Sequence, residues 1–174
     1  MNLPSLVGEH VIKEMIELAS KCPEGCFVEV GVYKGGTAQH IEKLALEQKR
    51  QFYAYDTFTG IPYKSEIDQI PAGTFNDTSF EEVRKALPNT CVIQGIFPGS
   101  AVDMPPVAFA HLDCDQYQSI REACLYLEPH MVDGGIIWFD DYGCLRSADA
   151  AVNELYSGRI EGAHCGKSFV RFKR

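Results

Sequence analysis

The amino-acid sequence predicts an α/β domain built on a mostly parallel sheet, and three observations lead to this prediction. Short apolar runs typical of strands alternate along the chain with longer stretches in which apolar residues recur at helical spacing. The 174 residues suffice for one domain with its own hydrophobic core, so we treat residues 1–174 as a single domain. The 45% hydrophobic and 23% charged residues are ordinary for a globular protein and exclude global disorder.

Over residues 1–79 the sequence pattern predicts helices that alternate with strands. Apolar residues at helical spacing predict an opening amphipathic helix within residues 1–21. An apolar run predicts the first strand at residues 26–32, and two adjacent glycines then open a helix that runs to about residue 48. The second strand is predicted at residues 51–56. Residues 57–79 contain two prolines and two glycines, and a loop of this length in a compact domain is typical of a lid or binding loop.

The second part of the chain continues the alternation and ends differently. Its last two strands are short and are joined by a hairpin-sized turn, which predicts an antiparallel addition to the otherwise parallel sheet. The predicted elements are, in order, a helix at 80–87, strands at 90–94 and 107–113, a helix at 119–127, a strand at 135–140, a helix at 148–156, and strands at 159–164 and 168–172.

The charge and composition of the chain argue against nucleic acid and membranes as binding partners. With 16 basic and 24 acidic residues the formal charge is -8, which disfavours non-specific binding to nucleic acid. No apolar run approaches the roughly 20 residues that span a bilayer, and three glutamates interrupt the apolar pattern of the first 20 residues, unlike a signal peptide. The seven cysteines are odd in number and form no C-x-x-C pair, which predicts reduced thiols. We therefore expect a cytoplasmic protein with neither nucleic acid nor membrane as a partner.

A glycine-rich turn joins the first strand to the following helix. It begins near Glu29 and Gly31 and ends in Gly36-Thr37, with the spacing G-x-x-x-G-G. Glycines here allow a ligand to approach the backbone near free N–H groups at a helix start. The spacing fits a dinucleotide fingerprint poorly, and a turn without a ligand is the alternative. Asp56 ends the next strand, where an acidic group can hold ribose hydroxyls; a solvated aspartate is the alternative.

Two acidic motifs follow later strands of the predicted sheet. HLDCDQY contains Asp113 and Asp115 at the end of the fourth strand, and DDYG contains Asp140 and Asp141 at the end of the fifth. The carboxyl ends of parallel strands meet at one edge of a sheet, so these carboxylates can converge there. Three oxygen ligands favour a hard cation, Mg²⁺ or Ca²⁺. The alternative is that DDYG starts a turn and that Asp115 caps a helix.

The histidines leave the identity of a general base open. His111 alternates in register with Asp113, so it faces either the site or the core. His164 lies near the final hairpin and is a second candidate base, since histidine is the commonest general base in enzymes.

Five segments, taken in order, resemble one protein family. FVEVGVYKGGTA, YAYDTFTGIP, FNDTSFEEV, HLDCDQYQS and GGIIWFDDYG are similar to the macrocin O-methyltransferase family over residues 27–143, and more loosely to the C-terminus. The resemblance implies a Rossmann-like class I methyltransferase fold with a seven-stranded, mostly parallel sheet, one antiparallel strand and helices on both faces. It also implies S-adenosyl-L-methionine as the cofactor.

The resemblance further implies a set of site residues. Asp113, Asp140 and Asp141 match the family's magnesium ligands, with Asp115 as an alternative to Asp113. Asp113 and Asp140 are also candidate catalytic residues, beside His111 and His164. The implied cofactor-binding residues are Glu29, Gly31, Tyr33, Gly35, Thr37, Asp56, Thr57, Phe58, Gln94, Gly95 and Asp113.

The predicted function is therefore methyl transfer from S-adenosylmethionine to a hydroxyl of a small molecule, a sugar or another polyhydroxylated acceptor, with Mg²⁺ bound. The chain has little sequence before the first strand and no counterpart of the family's C-terminal base region, which leaves the acceptor open. The alternatives are a metal-independent methyltransferase, a different nucleotide-binding Rossmann enzyme and a non-catalytic cofactor-binding protein. A homo-oligomer is also compatible with the sequence.

Overall fold

A computed structural model describes residues 3–162 and 166–173 of the chain. The strands of this part are β1 Cys26–Val30, β2 Phe52–Asp56, β3 Cys91–Gln94, β4 Val107–Leu112, β5 Met131–Phe139, β6 Ile160–Glu161 and β7 Ser168–Arg171. The α-helices are α1 Glu9–Ala19, α2 Ala38–Glu47, α3 Phe80–Ala86, α4 Tyr117–Leu127 and α5 Arg146–Tyr156, with a single 3-10 turn at Glu128–His130.

The seven strands form one sheet in the order β3-β2-β1-β4-β5-β7-β6. β1 to β5 pair in parallel, and β7 lies antiparallel between β5 and β6. The predicted fold class is thereby confirmed, including the one antiparallel strand. Because the chain runs outward from β1 in both directions, the carboxyl ends of β1 and β4 lie side by side at the switch point where ligands bind in such sheets.

The central strands are buried along their whole length because helices cover both faces of the sheet. Every residue of β1 and β4 is buried, as expected for central parallel strands. On one face Phe27 and Phe109 meet edge to face, with ring centroids 5.9 Å apart, and pack against α1, α2 and α3. On the other face Val28 and Ala110 pack against α4 and α5. Among the described helices none is long and apolar enough to cross a membrane.

The two largest differences from the predicted element boundaries lie in β5 and β6. β5 begins at Met131, four residues earlier than predicted, because Gly134 is accommodated in an irregular strand instead of ending it. The Gly134 N–H donates to the carbonyl of Phe172, 2.7 Å away, and the backbone at Gly134 is left-handed, with φ +80°. β6 has two residues, Ile160–Glu161, and the rest of the predicted strand includes residues 163 and 164, which lie outside the described part.

The loop of residues 57–79 contains no helix or strand, as predicted, and it is held down at several points. The Tyr63 N–H donates to Oε1 of Gln116 at 2.8 Å, and the Tyr117 N–H donates to Oδ1 of Asp68 at 2.9 Å, so the loop is fastened to the start of α4. Near its end Asp77 pairs with Lys34 of the glycine-rich turn. The loop thus spans the cavity described below, and its action as a lid stays a prediction.

The cysteines correct one prediction. Cys22, Cys26, Cys91, Cys114 and Cys124 are free thiols. Cys144, however, is disulfide-bonded, so the prediction that all seven cysteines are reduced is wrong at this position. A search for C-x-x-C pairs does not detect this disulfide, because disulfide formation depends on the distance between two cysteines in the fold and not on their spacing in the sequence.

Candidate active site

A cavity of about 280 Å³ opens at the carboxyl ends of the central strands. Parts of the chain that are distant in sequence line it, among them the glycine-rich turn after β1, the loop after β2, the residues after β3, and the strand ends of β4 and β5. Nine of the predicted site residues lie in its wall: Gly31, Tyr33, Thr37, Asp56, Thr57, Gly95, Asp113, Asp140 and Asp141.

Gly31 is required by a close approach of two backbones. Its φ is +93°, and a Cβ at this position would lie 1.7 Å from the carbonyl oxygen of Asp113. The two strand ends are also joined by the Asp113 N–H, which donates to the carbonyl of Val30 at 2.9 Å. The glycine therefore brings the first turn against the acidic end of β4, whereas the sequence suggested an approach of the cofactor itself.

Asp56 ties the end of β2 to the glycine-rich turn. Its Oδ2 accepts from the N–H groups of Val32 and Tyr33, both at 2.8 Å, and its Oδ1 accepts from the N–H of Phe58 at 2.7 Å. A carboxylate offers about four acceptor positions, so the backbone occupies most of them. Asp56 lines the cavity, and its predicted contact with ribose would use what capacity Oδ1 retains.

An N-terminal segment, residues 3–7, forms a wall of the cavity that the sequence did not predict. Residues 4–7 line the cavity, and the Ser5 hydroxyl lies 3.0 Å from that of Thr37 at the start of α2. A Cβ on Gly36 would lie 2.2 Å from the carbonyl oxygen of Pro4. The one signal in the sequence was Gly36 beside Gly35. A turn without contact to the N-terminal segment explained these two glycines equally well.

Asp113, Asp140 and Asp141 converge on one point of the cavity wall. Each offers a carboxylate oxygen, and these oxygens lie within 4.8 Å of one another. Among the described residues, Oδ1 of Asp140 and Oδ2 of Asp141 are buried without a hydrogen-bond partner. Burial and the neighbouring carboxylates raise the pKa of Asp113 well above its usual range and that of Asp141 to about 8. Unpartnered oxygens that repel one another fit a hard divalent cation.

Asp115 lines the cavity but lies outside this group of three oxygens. Burial, with the charges of Asp140 and Asp56, raises the pKa of its carboxyl to about 6. Gln116 and not Asp115 is the N-cap residue of α4, so the capping alternative is wrong. Of the two candidates for the first metal ligand, the geometry favours Asp113.

His111 and Glu29 lie behind the cavity wall and not in it. The His111 ring is fully buried, with Nδ1 2.9 Å from Oε1 of Glu29 and Nε2 3.9 Å from Oδ1 of Asp140. Burial by itself would lower the pKa of His111, but Asp140 and Glu29 outweigh it and raise the pKa to about 10. A ring that does not reach the cavity cannot take a proton from an acceptor. The Glu29 side chain likewise does not line the cavity, so its contact with the cofactor stays a prediction.

Three further predicted cofactor residues support the wall without lining it. Phe58 is buried against Phe80, Gln94 donates to the carbonyl of Thr57 at 3.3 Å, and Gly35 faces the side chain of Leu3. Their contacts with the cofactor stay predictions. His164 lies outside the described residues.

The chain matches a family model described as macrocin O-methyltransferase over residues 6–159. The chain belongs to this family. Membership in the macrocin O-methyltransferase family confirms the predicted family and the methyltransferase activity, with the fold already described. Among curated proteins, none matches the chain.

Solved structures share the fold of this macrocin O-methyltransferase family member. The O-methyltransferase NovP has 21% sequence identity and a TM-score of 0.80, with 95% of this chain and 79% of NovP covered. The calicheamicin methyltransferase CalS11 has 16% identity and a TM-score of 0.74, with 94% and 77% covered. An O-methyltransferase from Bacillus cereus in complex with SAH has 14% identity and a TM-score of 0.67, with 98% and 83% covered. Membership of the macrocin O-methyltransferase family supports S-adenosylmethionine as the cofactor.

Proposed function

We propose that this methyltransferase transfers the methyl group of S-adenosylmethionine to a hydroxyl of a small uncharged, polyhydroxylated acceptor, with Mg²⁺ held by Asp113, Asp140 and Asp141. The observation that carries this proposal is the convergence of three carboxylate oxygens, two of the carboxylates having buried unpartnered oxygens, in the wall of the cavity that also contains the glycine-rich turn.

The cofactor would lie over the glycine-rich turn and the ends of β2 and β3. Gly31, Asp56, Thr57 and Gly95 line this half of the cavity. Gly31 leaves the backbone bare, and the remaining acceptor capacity of Asp56 faces the position that a ribose takes in related sheets. When bound, the cofactor supplies a sulfonium methyl group that a hydroxyl oxygen can attack in line.

The acidic half of the cavity would hold the cation and take the proton. When bound there, Mg²⁺ supplies a Lewis acid that lowers the pKa of a coordinated hydroxyl and fixes its position. Asp113, Asp140 and Asp141 would hold it, since each offers a carboxylate oxygen near the same point. Asp115 is the cavity-lining carboxylate that belongs neither to this group nor to the backbone contacts of Asp56, so its carboxylate accepts the hydroxyl proton.

The lining of the cavity favours an uncharged acceptor. Within the described residues the wall has no lysine or arginine, whereas it has five aspartates. An apolar patch lies beside them, formed by Ile61, Pro62, Phe75, Ile96 and Phe97. CalS11 is described as a TDP-rhamnose 3'-O-methyltransferase, and a diphosphate of that kind would find no cationic side chain in this wall. Neighbouring hydroxyls on an apolar ring fit it better.

The test combines cofactor binding with turnover on an acceptor panel. We expect S-adenosylhomocysteine to bind in EDTA, and methyl transfer to be lost in EDTA and restored by Mg²⁺. Neutral glycosides and catechols should be methylated in preference to nucleotide-linked sugars. Full turnover in EDTA would contradict the metal site and leave a metal-independent methyltransferase. Binding of NAD in place of S-adenosylhomocysteine would overturn the cofactor assignment.

A further inference from the structure

A buried pair of titratable side chains lies directly beneath the acidic end of the sheet. Glu29 of β1 stands opposite His111 of β4 in the strand register, and His111 stands opposite Trp138 of β5. Side chains alternate between faces along a strand, so Asp140, two residues beyond Trp138, continues this row on the same face. The row runs from the first strand to a proposed ligand of the cation.

We propose that His111, held by Glu29, is a positioning residue that fixes the carboxylate of Asp140 for the cation. This inference rests on the metal site of the proposed function. It gives two fully buried polar residues a role that neither cofactor contact nor base catalysis explains.

Two buried polar atoms without a partner in the described part of the chain lie near each other, one on His111 and one on Asp140. Nε2 of His111 and Oδ1 of Asp140 are both buried and lack a hydrogen-bond partner among the described residues, and they lie 3.9 Å apart. A small rotation of the Asp140 carboxylate brings them within hydrogen-bond distance. With Oδ1 held in this way, the other oxygen of Asp140 is left to face the cavity beside Asp113 and Asp141.

Glu29 binds the other nitrogen of the His111 ring. Its Oε1 accepts from Nδ1 of His111 at 2.9 Å, and its side chain is 1% exposed, so the contact is shielded from water. Both residues lie within strands of the sheet interior, and this fixes the plane of the ring. Groups that orient metal ligands in this way commonly change metal affinity by about 10–100-fold when they are replaced.

The experiment measures cation affinity directly, with Mn²⁺ as the probe. Binding is followed by electron paramagnetic resonance on protein saturated with S-adenosylhomocysteine. His111→Phe removes both ring nitrogens, and Glu29→Leu removes the acceptor, whereas Glu29→Gln keeps an oxygen for Nδ1. We expect the first two to weaken Mn²⁺ binding about tenfold or more, and Glu29→Gln about threefold at most. S-adenosylhomocysteine affinity should change about threefold at most in all three.

Trp138→Phe is the matched control, because Trp138 is buried on the same face and its indole N–H has no partner among the described residues. It should bind Mn²⁺ and S-adenosylhomocysteine like the unaltered protein. Unaltered Mn²⁺ affinity in folded His111→Phe overturns the inference alone. Lack of Mn²⁺ binding by the unaltered protein overturns the metal site together with the inference. Equal losses of both affinities in the Glu29 variants would return Glu29 to the cofactor site.

A measurement on the unaltered protein covers the case in which a variant fails to fold. The five histidines can be distinguished by ¹⁵N spectra of their ring nitrogens, with replacements of the other four for assignment. Saturation with Mg²⁺ should shift the Nε2 signal of His111 more than its Nδ1 signal. An Nε2 signal that does not respond to Mg²⁺ overturns the inference.

Discussion

The two halves of the cavity wall differ in the hydrogen bonds that their carboxylates receive from the chain. In the glycine-turn half, Asp56 has both oxygens engaged by backbone N–H groups at 2.7–2.8 Å. In the acidic half, Asp140 and Asp141 each keep a buried oxygen without a hydrogen-bond partner among the described residues. The comparison shows that the first half is completed by the chain itself. In the second, Oδ2 of Asp141 has no partner among the described residues, which fits a ligand from outside the chain.

The same difference has an energetic side. Hydrogen bonds from N–H groups to a carboxylate stabilise the folded protein, by about 1.5–3 kcal/mol each for charged acceptors. Clustered carboxylates in a buried wall destabilise it, which is why the pKa values of Asp113 and Asp141 are raised. Loss of a carboxylate should therefore have opposite effects on the stability of the folded protein in the two halves.

The most severe way to break the glycine-turn half is Gly31→Ala. The new Cβ would overlap the Asp113 carbonyl at 1.7 Å and would also occupy a left-handed backbone, with φ +93°. We expect the free energy of unfolding to fall by about 4 kcal/mol or more, with loss of S-adenosylhomocysteine binding. Gly73→Ala is the control, because Gly73 has φ +82° but no neighbour within 4 Å, and it should cost about 1 kcal/mol. Similar losses in urea denaturation of both variants would remove the close approach as the cause.

Asp140→Asn should separate activity from stability in the acidic half. The variant removes a proposed ligand charge, so Mg²⁺-dependent methyl transfer should fall by about 100-fold, equivalent to about 2.7 kcal/mol of activation free energy. In metal-free protein the same change relieves repulsion with Asp113 and Asp141, so the free energy of unfolding should hold or rise. Turnover assays and urea denaturation in EDTA provide the two readings. A large loss of metal-free stability would mean that Asp140 stabilises the fold as Asp56 does.

Asp56→Asn should show the opposite balance. Its amide nitrogen would face N–H donors of Val32 and Tyr33 or of Phe58, so at least one hydrogen bond is lost. We expect the free energy of unfolding to fall by about 2 kcal/mol in EDTA and in Mg²⁺ alike. Calorimetric titration should also show weaker S-adenosylhomocysteine binding. If binding weakens while stability is unchanged, Asp56 serves the ribose alone and the comparison between the halves fails.

The smallest effect, counted per pH unit, is the pH dependence of metal-free stability. The pKa values of Asp141 and Asp115 are raised by burial and neighbouring charge to about 8 and about 6, so the folded protein keeps protons that the unfolded chain releases above its ordinary carboxyl pKa. Stability should therefore fall as pH rises from about 5 to 8, by about 1 kcal/mol for each pH unit over which one of these carboxyls stays protonated in the folded protein. The stabilising effect of His111, whose pKa is raised to about 10, is present below about pH 6.5 and is lost as pH rises toward that value, which adds to the same slope.

Saturating Mg²⁺ should flatten this slope, because a bound cation replaces the protons. Thermal unfolding at pH 5 and pH 8, with Mg²⁺ and with EDTA, provides the measurement. Parallel pH profiles in the two conditions would show that the cation does not bind at these carboxylates.

Much of this architecture was predictable from the sequence because parallel strands carry two local signals. Runs of strand-forming residues predicted β1 and β2, and strand-end aspartates indicated the candidate site, since parallel strands end at a common edge. The start of β5 was missed because Gly134 has the composition of a turn, whereas its N–H bonds to Phe172 and Met131 pairs with Val107 of β4.

The parts of the site that escaped prediction depend on register and on long-range contacts. Alternation places His111 on a face, but only the pairing of β1 with β4 shows that it meets Glu29 and not the cavity. The N-terminal segment has no motif at all, and its role follows from where α1 packs. Short-range patterns thus located the strand ends and could not show which side chains near them face inward.

Gly36 links the path of the N-terminal segment to the shape of the cavity. It is not among the glycines with a left-handed backbone, so its own conformation does not demand a glycine. The demand comes from the N-terminal segment, whose Pro4 carbonyl oxygen would lie 2.2 Å from a Cβ at this position. A side chain at position 36 and the present path of residues 4 and 5 therefore exclude each other, although some thirty residues separate them. A larger residue at position 36 would displace this segment, and because residues 4–7 line the cavity, the shape of the cavity wall would change with it.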